Sequence, residues 1–163
     1  MQALKEEENV KRFLIVLLAL ALIGGSAVAD EAGLLADMQA VKELAPAVEA
    51  QIQKYASILH GAQFDSVTVN LNYGTDESGD YIVLVYMTYD QYNSPAADVN
   101  TVVQVSCTVA DAVTRSCPGA VELCVFWELP GYDSQGKIQF MIDGDDYQYG
   151  DAMLPKVMAE AWG

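Results

Sequence analysis

Basic residues are scarce. Eight Lys and Arg stand against 23 Asp and Glu, and the formal net charge is −15. A chain of that sign is repelled by phosphodiester backbones and anionic lipid surfaces, so neither nucleic acid nor an anionic membrane is an expected partner. Cationic partners and metal ions remain compatible. The one histidine, His60, supplies neither a nucleophile–base pair nor a zinc set, and reads as a surface residue in the last turn of a helix. Three cysteines are too few for a disulfide scaffold, and the odd number leaves one unpaired. No catalytic or cofactor motif is present. Carboxylates are plentiful, but the sequence marks no pair of them as buried together, so the chain reads as non-enzymatic and without a cofactor. Internal repeats beyond two strand pairs and low-complexity tracts are also lacking.

The 163 residues suit one domain, and a hydrophobic content of 52% permits a real core. The N-terminus has its own logic. Lys11-Arg12 precede an apolar run over 13–23, then Gly24-Gly25-Ser26 and the small-x-small Ala27-Val28-Ala29 before Asp30. A basic region, an apolar region and a cleavage site make 1–29 a signal peptide and imply secretion or an extracytoplasmic location, with no membrane contact after cleavage. The alternative is a retained anchor over 13–29, at the short limit for a span. Residues 1–9 are unusual for such a leader. Lys5-Glu6-Glu7 can be encoded by a purine-rich ribosome-binding stretch and Val10 by a GTG start, so 1–9 reads as untranslated and the source as prokaryotic. Acids and bases balance before Asp30, so the net charge from Asp30 onward is still −15.

The stretch 94–117 organises the rest. Val99, Val102, Val103, Ser106, Ala110, Val113 and Cys117 recur at helical spacing, with Thr108, Asp111, Ala112 and Arg115 opposite. Ser94 suits the N-cap, Pro95 the first turn, Asp98 the positive end of the dipole and Arg115 the last turn; Pro118-Gly119 stops the helix. Its many valines are weak helix formers, so the helix needs a sheet to pack on. Strands are expected over 66–73 and 81–89 before it, and over 120–129 and 137–143 after it. Apolar residues without alternation at 82–85 predict a strand covered on both faces. The fold class is therefore α+β: about four strands in a strand–strand–helix–strand–strand unit over 62–163, preceded by a long helix and followed by a short one around Leu154, Val157, Met158, Ala161 and Trp162. If the second and third strands are parallel neighbours, the helix is a right-handed crossover.

The long helix is expected over 31–60, within an N-terminal segment 30–61 that forms one compact unit with the domain. Leu34, Met38, Val41, Ala45, Val48, Ile52, Tyr55 and Leu59 form an unbroken seam, which either lies on the domain's own sheet or makes a homo-oligomer. Pro46 must kink this helix or restart it.

Three groups carry candidate chemistry. Asp143, Asp145 and Asp146 sit in an expected acidic loop over 143–151 whose opening resembles a calcium loop, although Tyr147 falls where the third ligand belongs; Asp76, Glu77 and Asp80 form a weaker set. Tyr92, Tyr132, Tyr147 and Tyr149 lie in loops, where a rigid body and polar tip suit contact with a protein or glycan. The cysteines form the third group. Cys107 and Cys117 are about 15 Å apart along one helix and cannot pair. Chain reach permits Cys107–Cys124, but strand phase turns Cys124 away from the helix, so buried thiols are expected. Two functions follow: a secreted or surface domain that binds a macromolecule or itself, or a calcium-binding extracytoplasmic domain.

Overall fold

The computed structural model describes residues 31–55, 59–71 and 79–162. The expected leader and the Asp76–Glu77 part of the first hairpin lie outside them. Residues 32–163 form one compact unit. The order is α1 (Glu31–Lys54), β1 (Gln63–Leu71), β2 (Tyr81–Thr88), α2 (Pro95–Ser116), β3 (Ala120–Leu129), a 3-10 turn (Pro130–Tyr132), β4 (Ser134–Asp143), β5 (Asp146–Met153) and α3 (Lys156–Trp162). The class is α+β as expected, but the sheet has five strands, ordered β1-β2-β3-β4-β5. The additional strand is β5, where an acidic loop was expected. Aspartates and glycine weaken strand propensity, yet an edge strand tolerates them because one side needs no partner. Gly150 is the extra residue at a bulge between the pairs Gln139–Asp151 and Phe140–Tyr149.

All neighbours are antiparallel except β2 and β3, which run parallel. Parallel neighbours need a crossover, and α2 supplies it. Its N-terminus is built as the residue types require: Ser94 Oγ accepts from Ala97 N, Pro95 opens the helix and Asp98 lies in the first turn. The buried face is wider than the expected stripe. Val105, Val109 and Ala112 are buried too, which corrects Ala112 from the outer face to the core. That width fits a helix seated in the concavity of a twisted sheet. Trp127 reaches up from β3 and donates its indole N–H to Ser106 Oγ at 3.1 Å, so the largest core side chain is satisfied.

Helix α1 ends at Lys54 rather than His60. After it, Leu59 is buried, and His60 (φ 49°) and Gly61 (φ 89°) turn the chain left-handed into β1. Pro46 sits inside a continuous helix, and both it and Lys42, whose carbonyl it leaves unpaired, are on the exposed side. Val48 and Ile52 of the seam are buried in the core that α2 and the sheet share, while Met38 is exposed. The Tyr55 hydroxyl accepts from Arg115 Nη1 at 2.9 Å, which sets α1 beside α2.

Gly119 closes the crossover. It adopts φ +85°, its carbonyl accepts from Tyr81 N at 2.8 Å, and a Cβ there would collide with the Gly79 carbonyl oxygen. Gly119→Ala should therefore cost about 2 kcal/mol or more in a urea melt. A variant as stable as the parent would show that the parallel β2–β3 junction tolerates a side chain.

Candidate functional site

Two places concentrate polar or exposed aromatic groups, and their chemistry is opposite. The first is Asp98, fully buried in the first turn of α2. Its Oδ1 accepts from the Tyr89 hydroxyl (2.9 Å) and Asn93 Nδ2 (2.9 Å); its Oδ2 accepts from the Tyr132 hydroxyl (2.7 Å) and the Asn93 backbone N–H (3.0 Å). Tyr89 follows β2, Asn93 precedes α2 and Tyr132 lies between β3 and β4, so one carboxylate ties four segments. Burial by itself would push the Asp98 pKa up, but the hydrogen bonds from Tyr132, Asn93 and Tyr89 outweigh it and hold the carboxyl below its ordinary 3.8. Burial, and then the bond to Asp98, raises both tyrosines. A carboxylate saturated by four donors and closed to solvent has no free lone pair for a substrate. This constellation holds structure. The helical pattern contained a signal for it: Asp98 lies four residues before Val102 and in phase with Val105, Val109 and Ala112.

Because the native pKa of Asp98 is depressed, its contribution is complete above pH 3.8 and is lost as the pH falls from there through the native value. Asp98→Asn should destabilise by about 2 kcal/mol at neutral pH and flatten the acid limb of a stability–pH profile. A variant whose acid limb ran parallel to the parent's would remove Asp98 from the acid transition.

The second place is the sheet face opposite α2. Alternation puts Ile82, Leu84 and Tyr86 of β2, Cys124 and Phe126 of β3, Met141 of β4 and Met153 of β5 on it. Tyr86 is 38% exposed, Met141 50% and Met153 67%. The 82–85 run predicts cover on both faces, and this is corrected: among the described residues the helices serve one face only. Tyr86 and Phe126 are cross-strand partners whose rings stack at 5.2 Å and 16°. The same face carries Glu122, Glu128, Asp143, Asp146 and Asp151 with Lys137, of which Glu128 and Lys137 lie nearest the aromatic pair and Asp143 and Asp146 lie at the far end of the strands, and Asp65 reaches the face through a bond from Thr88 (2.8 Å). Glu122 accepts from Gln139 (2.8 Å) and the Cys124 thiol (3.4 Å); Glu128 accepts from Gln135 (2.6 Å). A shallow cavity of about 120 Å³ lies beside the aromatic pair, lined by Tyr86, Phe126, Glu128, Gln135 and Gly136 with Met87 and Trp127. Small-molecule sites run to about 300 Å³ and above, so this cavity suits the end of one side chain.

The sequence-derived candidates separate. Asp143 and Asp146 pair across a hairpin whose turn is Gly144-Asp145, with positive φ at Gly144 alone, the pattern of a II′ turn. All three aspartates are exposed, and among the described residues no group of three or more His, Cys, Asp or Glu is placed to hold a metal ion. The tyrosines split into two pairs. Tyr92 lies against Tyr132 at 5.1 Å, beside Asp98. Tyr147 and Tyr149 both meet Phe140 edge-on, and Tyr149 also meets Trp162. Tyr132 and Tyr147 turn their hydroxyls inward, to Asp98 and the Cys107 carbonyl, so they are half-buried packing residues. All three cysteines are free. Burial pushes the Cys117 thiol up to about 11, and burial with Glu122 does the same for Cys124, so both are protonated at neutral pH and poor nucleophiles. Cys124 faces away from α2, as strand phase requires. The residues that sequence reasoning missed are Tyr86, Phe126 and Glu128; the signal for them was apolar character on both faces of β2 and β3.

Comparisons with protein-family models, with curated proteins and with solved structures each returned no match.

Proposed function

We propose that this chain is a non-enzymatic, exported interaction domain that engages a macromolecule through the open face of its sheet. One observation carries the reading: β2 and β3 bear apolar residues on both faces, while the described helices cover one. The face that no described helix covers groups the exposed Tyr86 and Met141 with the half-buried Leu84 and Phe126 across adjacent strands. Contiguous apolar surface of this kind marks contact sites in proteins that stay soluble. A rigid five-stranded platform presents such a patch with little ordering cost on binding. Export rests on the leader-like sequence before Asp30. The calcium reading rests on Asp143, Asp145 and Asp146 alone and gains no support from their placement on a two-residue turn.

A benzophenone side chain at position 141, on the open face, should form cross-linked adducts in the native cells. The same group at Gln104, exposed on α2, should not. Adducts of twice the chain mass would replace an external partner with self-assembly. Equal labelling at both positions would sink the open-face assignment. The intact mass of the isolated protein should begin at Asp30; a mass retaining 10–29 in the membrane fraction would make this a tethered protein instead.

A further inference from the structure

Resting on that reading of the open face, we infer that its occupant is a basic, apolar protein segment whose cationic side chains lie over the Tyr86–Phe126 pair and reach Glu122 and Glu128. Charge is the first argument. Six carboxylates, Asp65, Glu122, Glu128, Asp143, Asp146 and Asp151, share the face with one lysine. Glu122 and Glu128 accept only neutral donors, and among the described residues neither has a Lys or Arg at ion-pairing distance. Their charges are available to an incoming cation at the centre of the patch.

Ring chemistry is the second. Tyr86 and Phe126 stack on each other, so each covers one face of its neighbour and keeps one outer π-face, which attracts guanidinium or ammonium groups. The cavity beside them is walled by the same rings and by Glu128, so a long cationic side chain would meet apolar contact along its stem and a carboxylate at its end. Lys137 stands across from Phe126 on β4 and excludes a second cation from that side. The favoured position is therefore toward Glu128 and Gln135.

Size and sign argue against a second copy as occupant. Five strands about 4.8 Å apart and eight to ten residues long give a flat footprint on the order of 700 Å². Stable interfaces bury about 800 Å² on each partner. Stacking two such faces would also oppose like charges at their centres, which disfavours association. A basic segment avoids the repulsion and converts the net charge of −15 into attraction.

The test titrates the purified chain, followed by NMR and calorimetry, with a peptide of three Arg-Ser-Leu-Ser repeats. In extended form this peptide puts arginine and leucine on one face. Counterparts replace every arginine with glutamine or with glutamate. The arginine peptide should bind with shifts centred on Leu84, Tyr86, Phe126 and Glu128, and the glutamate peptide should not. The double variant Glu122→Gln, Glu128→Gln should weaken binding about tenfold. The control double variant Glu49→Gln, Asp111→Asn, on the helices, should change it by less than about twofold. Equal weakening by both pairs would reduce the effect to bulk charge and overturn the inference. A glutamine peptide that bound the same face as tightly would also overturn it, while leaving the open-face reading intact. Failure of all three peptides to shift the face would remove both.

Discussion

A single buried charge, Asp98, sets the terms for the rest of the fold. The central sheet joint is parallel, so the chain must leave the end of β2, cross over, and return beside it to start β3. That path places the N-terminus of α2 near the ends of β2 and β3, where the exposed N–H groups of the helix favour an anion. Asp98 occupies this position and takes hydrogen bonds from Tyr89, Asn93 and Tyr132. An unpaired carboxylate at zero exposure would cost far more than one helix end can repay. The four donors make it tolerable only when β2, the loop before α2 and the turn after β3 are all in place. The carboxylate thus penalises alternative docking of α2, which the valine-rich interface alone would not do, since valines slide past one another with little change in burial.

The α2-facing side of the sheet shows the same division between filling and specifying. Val69, Val83, Val85, Leu123, Val125, Ile138 and Phe140 supply buried area. Two polar contacts fix register: the Trp127 indole on Ser106, and the Tyr147 hydroxyl on the Cys107 carbonyl. Ser106 also bonds the Val102 carbonyl at 2.8 Å, so its oxygen serves both helix and sheet. These anchors lie roughly two turns of α2 past Asp98, and together the three contacts fix the helix against translation and rotation.

Much of this was legible in the chain, and the illegible parts have physical reasons. The caps of α2 were readable because Ser94, Pro95 and Asp98 act through local geometry. The five-strand count was not, because β5 is stabilised by pairing with β4 rather than by its own propensity; Asp146, Gly150 and Asp151 say loop, and only the neighbour strand says otherwise. The end of α1 was misplaced because the seam's periodicity carries on through Leu59, whose burial comes from a turn and not from helix. The candidate site was half legible. The apolar run at 82–85 disclosed two apolar faces, but cover on the second face was assumed, since sequence shows that a residue is apolar and not what lies over it. Tyr132 and Tyr147 were ambiguous for a related reason: a hydroxyl that reaches inward to Asp98 or a carbonyl looks, in sequence, the same as one reaching out to a partner, as the exposed Tyr92 and Tyr149 could.

The contrast between the two acidic environments explains why one is structural and the other suited to contact. Asp98 is saturated, so nothing arriving from outside can improve its position. Glu122 and Glu128 each hold neutral donors, Gln139 and the Cys124 thiol for one and Gln135 for the other, so their charge is oriented but not neutralised. The donors to Glu122 hold its carboxylate half-buried against the sheet, whereas Glu128, two residues past Phe126, is oriented by Gln135 but stays exposed. An arriving cation would therefore meet a carboxylate already positioned, with the side-chain ordering largely complete before binding. Such preorganisation is of no use to stability, since a surface glutamate bonded to glutamine contributes little to folding. It makes physical sense if, as proposed, a basic segment brings the opposite charge to this face.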